Sequence, residues 1–484
     1  MKVTSIDRYV LEPGVVTEWL VSPTVARRSA TPPSYNQRFH LDTARTHGVG
    51  RSVWMAAAFD LPGELDRDAL ELALRHFIAR HDTLHSGFDV GPEHMHRVDF
   101  DPAQVAVTAS TPVAIDDAGE LRDHLRTHFT EVCDPLTYPA YTFATVERAG
   151  HHTVISAFDH TLVDGYSLVI ALGELRSIYE SFSGREGSCA GGERDASDTA
   201  RALTEKLGDA GSFLSYCRLE SEQPAADPDD PRIGEWGRFY ARCGGTAPSF
   251  PLDLGVEPGR PAPQGADVRE LLGEADTAAF EELCVAGGGS LFTGTLTAIA
   301  TALESMGASS VLPMQFPLHT RRDPQWANAI GWLTTSAPIV VEVDGDFVSS
   351  LRATHAAFRH ALTLGGVTMS QVIDSLGSSY RRTRTDVFMV SYIDYRKLPG
   401  TADHERLNAH HISNVTMADD AQFWISRTTR GLALRSRFPD TAVANATIAD
   451  FLDVLTATLE SVAGGGVAPV AAAKELVGYG SPIV

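Results

Sequence analysis

The chain has 484 residues, more than one typical hydrophobic core holds, so its length favours two or three domain-sized units. It is 43% hydrophobic and 21% charged, the balance of a soluble globular protein, and 40 basic against 62 acidic side chains leave a net charge of −22 that argues against nucleic-acid or anionic-membrane partners. The five cysteines (Cys133, Cys189, Cys217, Cys243, Cys284) form no C-x-x-C pair, the amino terminus "MKVTSIDRYVLEPG" has no long apolar stretch, and no run of eighteen apolar residues occurs. These features predict a cytoplasmic protein without a disulfide framework, zinc ribbon, secretory signal or membrane span.

In chain order, "DRDALELALRHFIARHDTLHSGF" places Leu70, Leu72, Leu74, Phe77 and Ile78 at roughly helical spacing after acidic residues that suit a helix start. "HTVISAFDH" is a mostly apolar strand. "YSLVIALGELRSIYESF" sets Leu168, Leu172, Leu175, Ile178, Tyr179 and Phe182 on one side of an amphipathic helix. Residues 183–200, "SGREGSCAGGERDASDTA", and 220–231, "ESEQPAADPDDP", are polar and rich in Gly, Pro or acid, and predict a flexible crossover over 183–231. It divides a first lobe, 1–182, from a second, 232–484. In the second, "GGGSLFTGTLTAIATALESMG" offers Ser290 as an N-cap and predicts a helix ending near Gly307. "SSVLPMQFPLHTRR", "SAPIVVEVDG" and "TDVFMVSYIDY" predict strands, "RGLALRSRF" alternates like an edge strand, and "IADFLDVLTATLESV" predicts a closing helix.

The stretch with the most chemistry is "SAFDHTLVDGYS", residues 156–167. An apolar strand ends on Asp159-His160 and, four residues later, Asp164-Gly165 opens a helix. Histidine titrates near neutrality, so His160 can take a proton at physiological pH. Gly165 permits an unusual backbone angle or a close approach. One His and one Asp lack a nucleophile, and no G-x-S-x-G elbow supplies one. H-x-x-x-D alone does not make a metal site.

D-H-T-L-V-D-G resembles the H-H-x-x-x-D-G signature of the condensation-domain and acyltransferase superfamily, related in fold to chloramphenicol acetyltransferase. "RHDTLHSGF" (80–88), "HTRRDPQWANAIGWLTTSAP" (319–338), "TDVFMVSYIDY" (385–395) and "GLALRSRF" resemble further segments of that family in the same order. "PPSYNQRF", the Asp in place of the first His, and "GWLTTSAPI" are most similar to the polyketide-associated (Pap-type) acyltransferases. The resemblance implies an α/β fold of two chloramphenicol-acetyltransferase-like lobes in a V, a pseudo-dimer that permits a monomer, with a tunnel between them. It implies that His160 acts as general base or positioner, while Asp164 pairs with Arg321 of the opposite lobe and stitches the lobes together. Gly165 would leave room at the reacting carbonyl and offer its N–H to an oxyanion. Asp159, departing from the family pattern, would hold the turn or tune His160.

The function implied is acyl transfer, without a cofactor, from a thioester on coenzyme A or a carrier protein to a hydroxyl or amine in natural-product or lipid biosynthesis. A stand-alone peptide-synthetase condensation enzyme is the catalytic alternative, and a silent carrier-docking protein the alternative of another class. Arg381, Arg382 and Arg384 form a basic knot that reads as a solvated surface or as a landing site for a carrier protein or thioester phosphates. Ser156 reads as a small packing residue. "DHERLNAHHISN", with His404, His410 and His411, reads as a polar loop, and no metal is expected.

Overall fold

The computed structural model describes residues 1–23, 25–47, 52–184, 196–227 and 229–465. Residues 185–195, Cys189 among them, and the tail from 466 lie outside the described residues. The chain forms two compact units that are not the consecutive stretches expected: one comprises Met1–Pro224, His319–Thr334 and Lys397–Thr416, and the other takes the remainder. The expected crossover also holds more structure than its composition suggests. Helices span Ala196–Leu207 and Phe213–Ser221, and Asp230 caps the helix Pro231–Arg242 by accepting from the Arg232 N–H at 2.8 Å. Phe213 and Cys217 are fully buried, which gives the second of these helices an apolar face despite its polar flanks.

The first unit is built on an eight-stranded sheet in the order Lys2–Ser5, His410–Ser413, Trp54–Pro62, His151–Asp159, Tyr141–Arg148, Gly14–Ser22, Ala106–Ala109, with Val113–Ile115 also paired to Gly14–Ser22. Strand His151–Asp159 is central and antiparallel to both neighbours, with Asp159 opposite Trp54. Its alternating side chains enter two cores, which is why it reads as nearly continuous apolar sequence. Val154 and Phe158 meet the helices Arg67–Arg80 and Gly165–Phe182 on one face, whereas Ile155 and Ala157 meet Leu121, Leu125 and Phe129 of helix Ala118–Val132 on the other. Each fully buried aromatic here, such as Phe77 or Phe143, contributes about 1.5–3 kcal/mol of burial free energy. His410–Ser413, expected as loop, is a strand between Lys2–Ser5 and Trp54–Pro62 because Ile412 belongs to the core. His404 and His411 are buried, and no group that could hold a metal occurs among the described residues.

The second unit carries a seven-stranded sheet in the order Thr334–Glu342, Val311–His319, Met389–Asp394, Gln422–Thr428, Gly431–Pro439, Ala262–Gly273, Met417–Ala418. Gly431–Pro439 is not the edge strand expected: Gln422–Thr428 and Ala262–Gly273 flank it. Its alternating polar residues face protein rather than water. Arg437 pairs with Asp386 at 2.7 Å, and the Arg435 guanidinium lies 4.2 Å from the centre of the Trp424 ring. The helices Leu291–Ser305 and Ala442–Ala463 cover the sheet, the first opened by a capping box in which Ser290 and Thr293 exchange side-chain bonds. Ala442–Ala463 is long and apolar enough to cross a membrane, but its Phe451, Leu452, Leu455 and Leu459 are core residues of this unit.

Candidate active site

The site lies entirely in the first unit and is assembled from three stretches of chain: the strand end and turn at 159–164, the helix Tyr35–His47, and the segment His319–Thr334. The turn forms because Asp159 closes it on itself. Its Oδ1 accepts from the Thr161 N–H at 2.8 Å and from the Thr161 hydroxyl at 2.7 Å, while its carbonyl takes the Leu162 N–H at 3.0 Å. The backbone N–H of His160 donates to the Val53 carbonyl at 2.9 Å, holding the residue at the end of the sheet.

The His160 ring is fixed in both orientation and tautomer. Its Nδ1 lies 2.9 Å from the Val163 carbonyl oxygen, which only accepts, so Nδ1 carries the hydrogen and Nε2 carries the lone pair. The indole of Trp332 stacks on the ring with centroids 3.9 Å apart and planes inclined by 28°. Burial pushes the pKa of His160 below its ordinary 6.5; His40 acts in the same direction, and Asp159 and Asp164 oppose it. The result is an imidazole kept neutral at physiological pH, whose basic Nε2 has no hydrogen-bond partner among the described residues.

Asp164 is the N-cap of helix Gly165–Phe182 and does not face that nitrogen. Its Oδ1 accepts from the N–H and the hydroxyl of Ser167, each at 2.8 Å, and its Oδ2 accepts from the Leu333 N–H at 3.1 Å. Arg321 grips both oxygens, at 2.7 and 3.0 Å, and also donates to the Ala329 carbonyl at 3.1 Å. Burial alone would raise the Asp164 pKa, but the Arg321 charge and the hydrogen bonds from Arg321 and Ser167 outweigh it and hold the carboxyl below its ordinary range. The expected partner is therefore found, with one correction to its setting. Arg321 lies in the same compact unit as Asp164, because His319–Thr334 belongs to that unit rather than to an opposite lobe. The pair stitches a distant piece of sequence into the site. Gly331 allows the seating of this segment: a Cβ there would lie 2.3 Å from the ring of buried Phe213.

Helix Tyr35–His47 supplies what sequence reasoning missed. Gln37 donates to the Thr161 carbonyl at 2.8 Å and Asn36 to the Thr334 carbonyl at 2.7 Å, so this one helix end holds both the turn and the 319–334 segment. His40, one turn further, places Nε2 3.2 Å from Asp159 Oδ2 and its ring edge against Trp332, with centroids 5.9 Å apart. The Gln37–His40 spacing is the one signal that could have marked a helix face turned to the site. Trp332 lies within "HTRRDPQWANAIGWLTTSAP", where nothing in the sequence singles it out.

The remaining candidates lie elsewhere. Gly165 is the first residue of its helix, and Ser156 is a buried strand residue packed in the sheet. Arg381, Arg382 and Arg384 belong to the second unit. Arg381 and Arg382 are exposed, whereas Arg384 is tied down by the Asp419 carbonyl and lies 3.7 Å from Asp420.

No family model matches the chain. The trehalose-2-sulfate acyltransferase PapA2 of Mycobacterium tuberculosis is 26% identical over 482 residues, spanning 96% of this chain and 98% of the relative. Among solved structures, a PapA2 acyl transferase superposes with a TM-score of 0.83 at 24% identity, covering 96% of this chain and all of that one. The first condensation domain of the calcium-dependent antibiotic synthetase follows the same fold, with a TM-score of 0.64 at 16% identity over 93% of this chain and 98% of that domain. The neutral, anchored His160 and these full-length matches converge: the chain is an acyltransferase, similar along its whole length to the Pap-type enzymes and built on the chloramphenicol-acetyltransferase-like condensation-domain fold.

Proposed function

We propose that this enzyme forms an ester by moving an acyl group from a thioester to a carbohydrate-type hydroxyl, with His160 Nε2 as the general base. The observation that carries the reading is the bond from His160 Nδ1–H to the Val163 carbonyl, which leaves Nε2 as the only basic nitrogen of a ring kept neutral by burial. Nε2 takes the proton of the acceptor hydroxyl as its oxygen adds to the thioester carbonyl. The tetrahedral intermediate then collapses with cleavage of the C–S bond, and the departing thiolate takes the proton back from His160. Ester and free thiol are the products, and His160 returns to its starting state.

The other residues act on position. Trp332 holds the imidazole by stacking, Asp159 holds the turn, and the Asp164–Arg321 pair fixes the entrance of helix Gly165–Phe182. The amino end of that helix, beginning at Gly165, carries the partial positive charge that favours a developing oxyanion. The donor is an acyl chain on the phosphopantetheine arm of coenzyme A or of a carrier protein, and no further cofactor takes part. A carbohydrate acceptor is supported by the relative whose name specifies trehalose-2-sulfate. Neither the amide-forming nor the silent docking alternative is favoured by the comparisons.

The test is a mass-spectrometric transfer assay in which wild type and His160→Ala meet acyl thioesters, on coenzyme A and on carrier protein, with sugars, simple alcohols and amines. A new sugar ester made by wild type and lowered about 10²–10⁴-fold in the variant is the expected result. Amide product alone, or equal ester formation by both proteins, overturns the proposal. In the pH profile of kcat/KM, the acid limb should fall below 6.5, since the lowered pKa keeps His160 unprotonated further into acid.

A further inference from the structure

Two imidazoles, not one, stand in this site. His160 is anchored through Nδ1 on the Val163 carbonyl and His40 through Nε2 on Asp159 Oδ2. Their ring centroids are 6.4 Å apart, and both rings contact the same indole, His160 stacked on Trp332 and His40 edge-on to it. Among the described residues, neither His160 Nε2 nor His40 Nδ1 has a protein hydrogen-bond partner. The side chain of His40 keeps 12% of its surface exposed, whereas Asp159 is completely buried, so the carboxylate end of this pair is closed and the imidazole end is open.

We propose that His40 binds the acceptor: held by Asp159, it offers Nδ1 to a second hydroxyl neighbouring the one that His160 activates, so that the preferred acceptor carries two adjacent hydroxyl groups. A hydroxyl suits this position whatever the state of the ring, since it donates to a neutral Nδ1 and accepts from a protonated one. The reacting hydroxyl is spent on His160, so a simple alcohol leaves Nδ1 without a partner and an adjacent diol does not. Trp332 keeps the two rings at a fixed separation, which makes the pair a gauge of hydroxyl spacing rather than two independent contacts. Asp159, where the family pattern has a histidine, thereby acquires a second role as the anchor of His40.

The inference rests on the reading of His160 as base and fails separately from it. Wild type is given one acyl thioester and two acceptors, a vicinal diol and its analogue lacking one hydroxyl. The expected kcat/KM ratio favours the diol by about 10-fold, the worth of one good hydrogen bond to a partly exposed group. His40→Phe should reduce that ratio to near one, and His40→Gln, whose amide can both donate to Asp159 and accept from the substrate, should restore most of it. A ratio near one in wild type, or a ratio unchanged in a folded His40→Phe, overturns the inference. Failure of wild type to esterify any hydroxyl instead overturns the role of His160. If His40→Phe does not fold, the wild-type ratio together with that of His40→Gln still decides.

Discussion

Asp164 in the first unit and Asp420 in the second are both buried carboxylates, with 3% and 1% of their surface exposed, yet their environments drive them in opposite directions. Asp164 accepts two hydrogen bonds from Arg321, two from Ser167 and one from the Leu333 N–H, and its pKa is depressed. Asp420 accepts from the Phe250 and Ala421 N–H groups at 2.9 and 2.8 Å, both on Oδ1, while among the described residues Oδ2 accepts no hydrogen bond and faces Arg384 only at 3.7 Å. Burial pushes its pKa up to about 7, only partly countered by those N–H groups and by Arg384. Burial is common to the two; a bidentate guanidinium is not. A buried acid is stably ionised where a cation covers both its oxygens, and it holds its proton where one oxygen is left bare.

The largest effect should come from uncovering Asp164. Arg321→Met is expected to cost about 3–5 kcal/mol in urea unfolding, because it leaves a buried carboxylate without its cation. An Arg321→Met protein as stable as wild type would mean that the pair serves the reaction alone.

The two acids should also give stability opposite slopes against pH. Asp420 in the folded chain keeps a proton that the unfolded chain, at the ordinary 3.8, has released, so its contribution is full below that value and is lost as pH rises through about 7. Asp420→Asn should therefore raise stability at pH 8 by on the order of 3 kcal/mol and change little at pH 4, read by chemical unfolding at both pH values. Asp164, with a depressed pKa, contributes stability that is present at neutral pH and lost as the solution is acidified through its folded value.

Ser167→Ala removes the hydroxyl bond to Asp164 Oδ1 but keeps the bond from the backbone N–H, and should cost about 1 kcal/mol while leaving the Arg321 bonds to the carboxylate in place. The smallest change is expected for Arg384→Ala, below about 1 kcal/mol, since this half-buried cation makes no close contact with Asp420. A loss for Arg384→Ala as large as that for Arg321→Met would erase the contrast between the two carboxylates.

Much of this arrangement is legible in the chain because it is local. The run from Ala157 to Ser167 writes out its own strand end, turn and helix cap, and the Arg321 partner follows from the family resemblance. His40 is legible only after folding, because it reaches Asp159 across 119 residues and nothing in "QRFH" distinguishes a site-facing histidine from a surface one. Gly431–Pro439 misleads for a different reason: alternating Arg435 and Arg437 look like a solvent face, but Trp424 and Asp386 take the place of water. The composition of the stretch around 213–221 hides a helix for the same kind of reason. A few buried residues, Phe213 and Cys217, decide its structure amid polar neighbours.

Strand His410–Ser413 sits between Lys2–Ser5 and Trp54–Pro62, so the first residues of the chain pair in the sheet only with residues some four hundred positions later. Lys2–Ser5 leaves the ribosome long before its neighbour exists. Until then Trp54–Pro62, a nearly all-buried strand, presents one unpaired edge to solvent. Completion of the catalytic unit therefore waits for residues 397–416, and a truncated chain ending before 397 would carry the whole "DHTLVDG" motif on a sheet that it cannot finish.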